Sequence, residues 1–229
     1  MEKLPQLTSD DTLIFLGDYL DRGPQSAAVV DYLMKLPERC PAKVVTLRGN
    51  HEDGWLQVID EGWENFVVTP RIGALATLRS YLGEPAPSQG EAPNMRELAA
   101  LYDGGFFPSE VVDWLRSLPF WYEDDNGIYV HGCLPIEKDG RFPHPSQVEP
   151  QATLAWCREA RFFSEYDGKR TVVGHTLVTC LPQEESEHMP HDRTDMYQRG
   201  GAFALDTGAG LGGFLTALEL PRVAVYESR

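Results

Sequence analysis

Four short apolar runs in this chain each end, beside a glycine, in a side chain able to bind a metal ion. TLIFL (12–16) leads into Gly17-Asp18 and on to Asp21, Arg22 and Gly23; KVVTL (43–47) leads into Arg48-Gly49-Asn50-His51-Glu52. GIYV (127–130) leads into His131-Gly132, and RTVV (170–173) into Gly174-His175-Thr176. Asp18 and Asn50 offer oxygen, and His131 and His175 offer imidazole. With no thiolate among them, the set suits Mn²⁺, Fe or Zn²⁺ rather than the all-oxygen cage of Ca²⁺. Of the six histidines, His51, His131 and His175 stand at these run ends. His144, His188 and His191 fall in Pro-rich or polar stretches and read as solvated loop. Taken singly, Asp18 and Asn50 could cap turns, the histidines could be satisfied core residues, and Arg22 could pair with Asp21. The ordered set points instead to one site.

Near-continuous apolar runs of this kind suit strands buried on both faces of an α/β sheet. Open α/β sheets place ligands at the carboxyl ends of their strands, and the adjoining glycines allow tight turns and close backbone approach. AFAL (202–205), FLTALEL (214–220) and VAVY (223–226) read as further strands, the last ones in a meander. Between them, SAAVVDYLMKL (26–36) reads as a helix stopped by Pro37, and SEVVDWLRSL (109–118) as one capped by Ser109. A third helix is expected within 146–163. Gly83 to Pro93 and Gln183 to Met196 read as loops. The stretch from Asp53 to Phe107 carries no legible motif and is expected to shape the mouth of the site.

GDYLDRG, RGNHE, VHG and VVGHT, in that order, resemble the phosphoprotein phosphatase branch of the calcineurin-like metallophosphoesterases. LDTGAGLGGFLTALEL (205–220) is similar to that family's terminal segment. The resemblance implies a four-layer αββα sandwich with a site for two divalent cations, Mn²⁺ before Fe or Zn²⁺, between the sheets. It makes Asp18 the bridging carboxylate and Asn50, His131 and His175 its companion ligands. It makes His51 the acid that protonates the leaving alkoxide and Asp21 the carboxylate that orients it. Arg22 and Arg158 become the phosphate-binding arginines, with Arg161 one helical turn on as the alternative to Arg158. Arg48 is expected to be structural, paired with a nearby carboxylate. Two cations about 3.5–4 Å apart acidify a bound water that attacks phosphorus directly, so no serine or cysteine nucleophile is required.

The implied activity is hydrolysis of a phosphomonoester, either a phosphorylated protein or a small phosphoester. The Asp21-Arg22 pair and Glu52 favour phosphoserine or phosphothreonine. The alternatives are a diadenosine-polyphosphate hydrolase and a non-catalytic phosphate-binding module. The family's opening GDxHG motif, which supplies an Asp and a His to the first metal, is not found before Asp18. The expectation is therefore that one metal site is complete while the other keeps only Asp18. The first strand is then expected to be missing and Met1 to be an internal position of a longer protein.

Composition sets the remaining bounds. The 229 residues are expected to form a single domain, 1–229, N-terminally truncated. With 42% apolar and 24% charged residues the chain can bury a sizeable core. Its 20 Lys+Arg against 35 Asp+Glu give a net charge of −15, which argues against nucleic acid or an anionic membrane as partner. No apolar run nears the roughly 18 residues of a membrane span. Cys40, Cys133, Cys157 and Cys180 are isolated, with no CxxC pair, and read as reduced thiols of a cytoplasmic protein.

Overall fold

A computed structural model describes residues 4–189 and 192–229. Met1 and His191 lie outside the described residues. The order begins β1 (Thr12–Phe15), α1 (Ser26–Arg39), β2 (Lys43–Thr46), α2 (Asn50–Glu61), α3 (Glu64–Val68), α4 (Ala74–Leu82), α5 (Met95–Asp103) and α6 (Ser109–Ser117). It continues with β3 (Trp121–Glu123), β4 (Ile128–Val130), α7 (Thr153–Trp156), α8 (Ala160–Glu165) and β5 (Thr171–Val173). The closing strands are β6 (Tyr197–Arg199), β7 (Ala202–Ala204), β8 (Thr216–Glu219) and β9 (Ala224–Glu227).

The mixed α/β class expected from the sequence is present. β1 and β2 pair in parallel, with Ile14 opposite Val45. Five strands form a mixed sheet in the order β3-β4-β5-β7-β6, and β8 and β9 make an antiparallel pair. Val45, Leu47, Ile14, Leu218 and Val225 from the two small sheets pack on Tyr129, Val172 and Phe203 of the large one. The other face of the large sheet, through Val130, Val173 and Ala204, is covered by Leu154 of α7 and Phe162 and Phe163 of α8. α1 lies beside β2, so the layers run helix, sheet, sheet, helix. Among the described residues no helix is long and apolar enough to cross a membrane.

Three local expectations are corrected. α1 runs through Pro37 to Arg39, because the proline falls in the last turn, where Cys40 N–H still donates to Leu36 O (2.9 Å). Ser109 is the first helical residue of α6 rather than its cap; Pro108 precedes it with extended backbone. The expected helix within 146–163 is broken into a 3₁₀ turn (Pro145–Gln147), α7 and α8. Pro150 and the extended residues Cys157 and Glu159 interrupt it.

The motif-free stretch after Asp53 folds into a helical lobe, α2 to α5, closed by α6. Its centre is Trp55, buried completely and met edge-on by Phe66, Phe106 and Phe107 at ring distances of 6.0, 5.3 and 5.1 Å. Gly54 lies directly under the Phe66 ring, where a Cβ would overlap it. Gly54→Ala is expected to destabilise: overpacking costs about 1–3 kcal/mol, more than the up to ~1 kcal/mol gained in helix propensity. A thermal melt checks this, and a raised Tm would contradict the packing.

Candidate active site

The parallel pairings explain why distant residues meet. β1 and β2 run the same way, so the turns carrying Asp18 and Asn50 leave from one end. β4 and β5 are likewise parallel, which brings His131 and His175 to neighbouring positions with ring centres 5.0 Å apart. Gly17 and Gly49 let the first two turns close on each other. A Cβ on Gly17, which has φ +111°, would lie 2.7 Å from Gly49 Cα and from His131 Nδ1.

Glu52 ties these turns together. Its Oε2 accepts from Asp18 N–H and Gly49 N–H (both 2.9 Å), and its Oε1 accepts from Tyr19 N–H (2.7 Å). It is fully buried in the first turn of α2, where the free N–H groups and the helix dipole favour a carboxylate. From the sequence it was legible only as the last letter of a motif. The available signal was a glutamate three residues after a glycine at a helix start, the half of a capping box in which the N3 side chain accepts from the N-cap N–H.

Asp18, His131 and His175 converge, with one donor atom of each within 4.8 Å of the others. Asp18 Oδ1 and Asn50 Oδ1 both lie 3.2 Å from His131 Nε2. His131 Nδ1–H donates to Leu16 O at 2.8 Å, which fixes the tautomer and leaves Nε2 facing the cluster. His175 Nε2 is buried without a hydrogen-bond partner among the described residues. Burial first, and then the neighbouring His131 and Arg158, push the His175 imidazole down to about 3, so it stays neutral. Burial opposes the charge on Asp18, but His131 and His51 outweigh it and hold that carboxyl well below its usual range. Two oxygens and two imidazoles, one of them with an orphaned, buried Nε2, fit a transition-metal cation.

Beside this cluster His51 Nδ1 meets Asp21 Oδ2 at 2.6 Å, with both side chains buried. Asp21 also accepts from Trp55 Nε1–H (3.0 Å) and Thr77 Oγ1–H (2.7 Å), so its carboxylate is fully engaged. His51 Nε2 points toward Asp18, 3.9 Å from Oδ2. Burial works against protonation of His51, but Asp18 and Asp21 prevail and raise it above the usual imidazole range.

Arg22 is exposed, with Nε–H donating to Arg71 O (3.2 Å), and its charge is felt by His51. Arg158 Nη1–H donates to His175 O (3.2 Å), which places it at the cluster. Arg161 is occupied by Glu165 on the outside of α8. Of the two, Arg158 is the one that lies beside the cluster. Arg48 is structural as expected, 3.7 Å from Asp53 and donating to Arg116 O. His144 lies away from the cluster, bonded to Glu123 at 2.9 Å.

Asp18, Asp21, Arg22 and His175 all carry positive φ, at 61°, 70°, 60° and 60°. Left-handed backbone at non-glycine residues costs of order 1–3 kcal/mol each and gathers at functional sites. Here the tight turns after β1 and β5 impose it.

Residues 1–203 match the family described as calcineurin-like phosphoesterase. Over 118 residues, 51% of this chain, it is 46% identical to a protein phosphatase 2A catalytic subunit of Dictyostelium discoideum. Over 131 residues, 57% of the chain, it is 27% identical to a symmetrical bis(5'-nucleosyl)-tetraphosphatase of Bordetella pertussis. These matches span 37% and 36% of the two relatives, little over a third of their length. In fold it is similar to a crystal structure assigned as a diadenosine tetraphosphatase, with a TM-score of 0.53 and 19% identity. That match covers 95% of this chain and 79% of the other. With the site motifs lying inside the matched region, the chain belongs to the calcineurin-like phosphoesterase family.

Proposed function

We propose that this protein is a metal-dependent phosphomonoester hydrolase acting on phosphoserine or phosphothreonine in proteins. The observation that carries the reading is the Asp18–His131–His175 triangle, with its orphaned His175 Nε2, beside the buried Asp21–His51 pair. Asp18, Asn50, His131 and His175 would hold one divalent cation, with Asp18 free to bridge to a second. Bound divalent cations acidify water and neutralise phosphoryl oxygens. The protein's own groups do the rest. Arg22 and Arg158 bind phosphoryl oxygens through forked N–H donors and hold the ester in line. His51 keeps a proton on the ring edge facing the site and gives it to the leaving alkoxide. Asp21 holds the ring in that orientation and favours its protonated form.

The greater identity to the phosphatase 2A relative supports protein substrates. The Bordetella relative supports a second reading, hydrolysis of dinucleoside polyphosphates. Turnover of p-nitrophenyl phosphate is expected to require added Mn²⁺ and to vanish with a chelator. In the same preparation a phosphothreonine peptide is expected to be cleaved with a higher kcat/KM than diadenosine tetraphosphate. The reverse ranking would favour the second reading, and metal-independent turnover would overturn both.

A further inference from the structure

The four cysteines are scattered in sequence, but two of them meet. Cys133 Sγ and Cys157 Sγ lie 2.7 Å apart across 24 residues. That is about 0.7 Å longer than the ~2.0 Å of a disulfide. It is also well inside the ~3.5–4.0 Å at which unbonded heavy atoms settle.

The facing segments are pinned on both sides of the sulfurs. Gly132 N–H donates to Leu154 O (2.8 Å), and Glu159 N–H donates to Cys133 Sγ (3.2 Å). No side chain stands between the two backbones, since a Cβ on Gly132 would lie 2.8 Å from Leu154 O and 3.1 Å from Cys157 N. The sulfurs are therefore held opposite one another chiefly by backbone packing. Cys133 is buried and Cys157 half-buried, whereas Cys180 is exposed and Cys40 lies elsewhere, after α1.

We propose that Cys133 and Cys157 are a redox modification site, closed by hydrogen peroxide into a reversible disulfide that clamps the strap before Arg158 to the turn after His131. Cys157, the more accessible sulfur, attacks one peroxide oxygen. The O–O bond breaks, and the other oxygen leaves and is protonated to water. The resulting sulfenic acid faces Cys133, whose sulfur attacks it. The S–S bond forms, the S–O bond breaks, and hydroxide leaves with the Cys133 proton as a second water. In sum two thiols and one peroxide give one disulfide and two waters, with two electrons passing from sulfur to oxygen. A thiol such as glutathione reverses the step by exchange.

The bond would join the residue before Arg158 to the residue two after His131, so its local consequence is a stiffer 153–159 strap. This inference does not rest on the phosphatase reading, because thiol chemistry and strap mobility are read without turnover.

The test titrates the reduced full chain with hydrogen peroxide. The expected result is loss of two of four titratable thiols, a mass lower by two hydrogen atoms, and one cross-linked peptide joining Cys133 to Cys157. Dithiothreitol should reverse all three. Amide exchange in 153–159 should slow several-fold in the oxidised form. Cys157→Ser should abolish the intramolecular cross-link, and Cys180→Ser should leave it intact. Four surviving thiols, a cross-link through Cys40 or Cys180, or progression of Cys157 to sulfinic acid without a bond to Cys133 would each overturn the proposal. A folded Cys133→Ser protein in which Cys157 stops at the sulfenic acid would support it, since only the resolving sulfur has then been removed.

Discussion

Asp18→Asn is expected to weaken divalent-cation binding by at least about 100-fold and to abolish turnover, while leaving the fold in place. The loss follows from the site's charge. Asp18 is the carboxylate within the His131–His175 triangle, and a neutral amide removes the charge that balances the cation. Removing even a group that only supports a ligand costs about 10–100-fold, so loss of a direct ligand sets a floor near the top of that range. The fold should survive because asparagine tolerates the left-handed backbone (φ 61°) that Asp18 adopts. The Asp18 N–H that donates to Glu52 is untouched. Calorimetric titration with Mn²⁺ beside a thermal melt separates the two effects. Undiminished affinity in a well-folded variant would remove Asp18 from the ligand set.

The second large effect concerns His51, and its size should depend on the leaving group. His51→Gln is expected to lower kcat by roughly 10²–10⁴-fold on a phosphoserine or phosphothreonine peptide, the usual range for a positioned proton donor. KM should change little, because Arg22 and Arg158 remain. On p-nitrophenyl phosphate the loss should be markedly smaller, since p-nitrophenolate departs without needing a proton. An equal loss on both substrates would mean that His51 acts by placing Asp18 or the metal, and not as an acid. Its backbone N–H already points to Asp18 at 3.3 Å. The Asp21–His51 contact of 2.6 Å, backed by Trp55 and Thr77, is what makes the acid reading specific.

The candidate site was legible in the sequence because its signals are local. Each of its chemical residues except Arg158 sits within a few positions of a strand end and a glycine, and the parallel pairing of β1 with β2 and of β4 with β5 does the rest. The helical lobe was not legible. Its core draws Trp55, Phe66, Leu75, Leu78, Leu101 and Phe107 from separate short segments, each contributing only one or two of these residues. The same holds for Cys133 and Cys157, whose meeting depends on a strap folding back by one backbone hydrogen bond from Gly132 to Leu154. Pro37 and Ser109 misled for a smaller reason. A proline in a last turn breaks little, and a serine can begin a helix without capping it.

The left-handed turns at Asp18, Asp21, Arg22 and His175 also bear on engineering. Glycine is the residue that such backbone suits best, so a campaign that selects on thermal tolerance alone would be drawn to these four positions and would erase the site as it succeeded. The exposed Gly83–Pro93 stretch is the place to harden this protein, with the four turns, the start of α2 and the Asp21 partners Trp55 and Thr77 held out of the library.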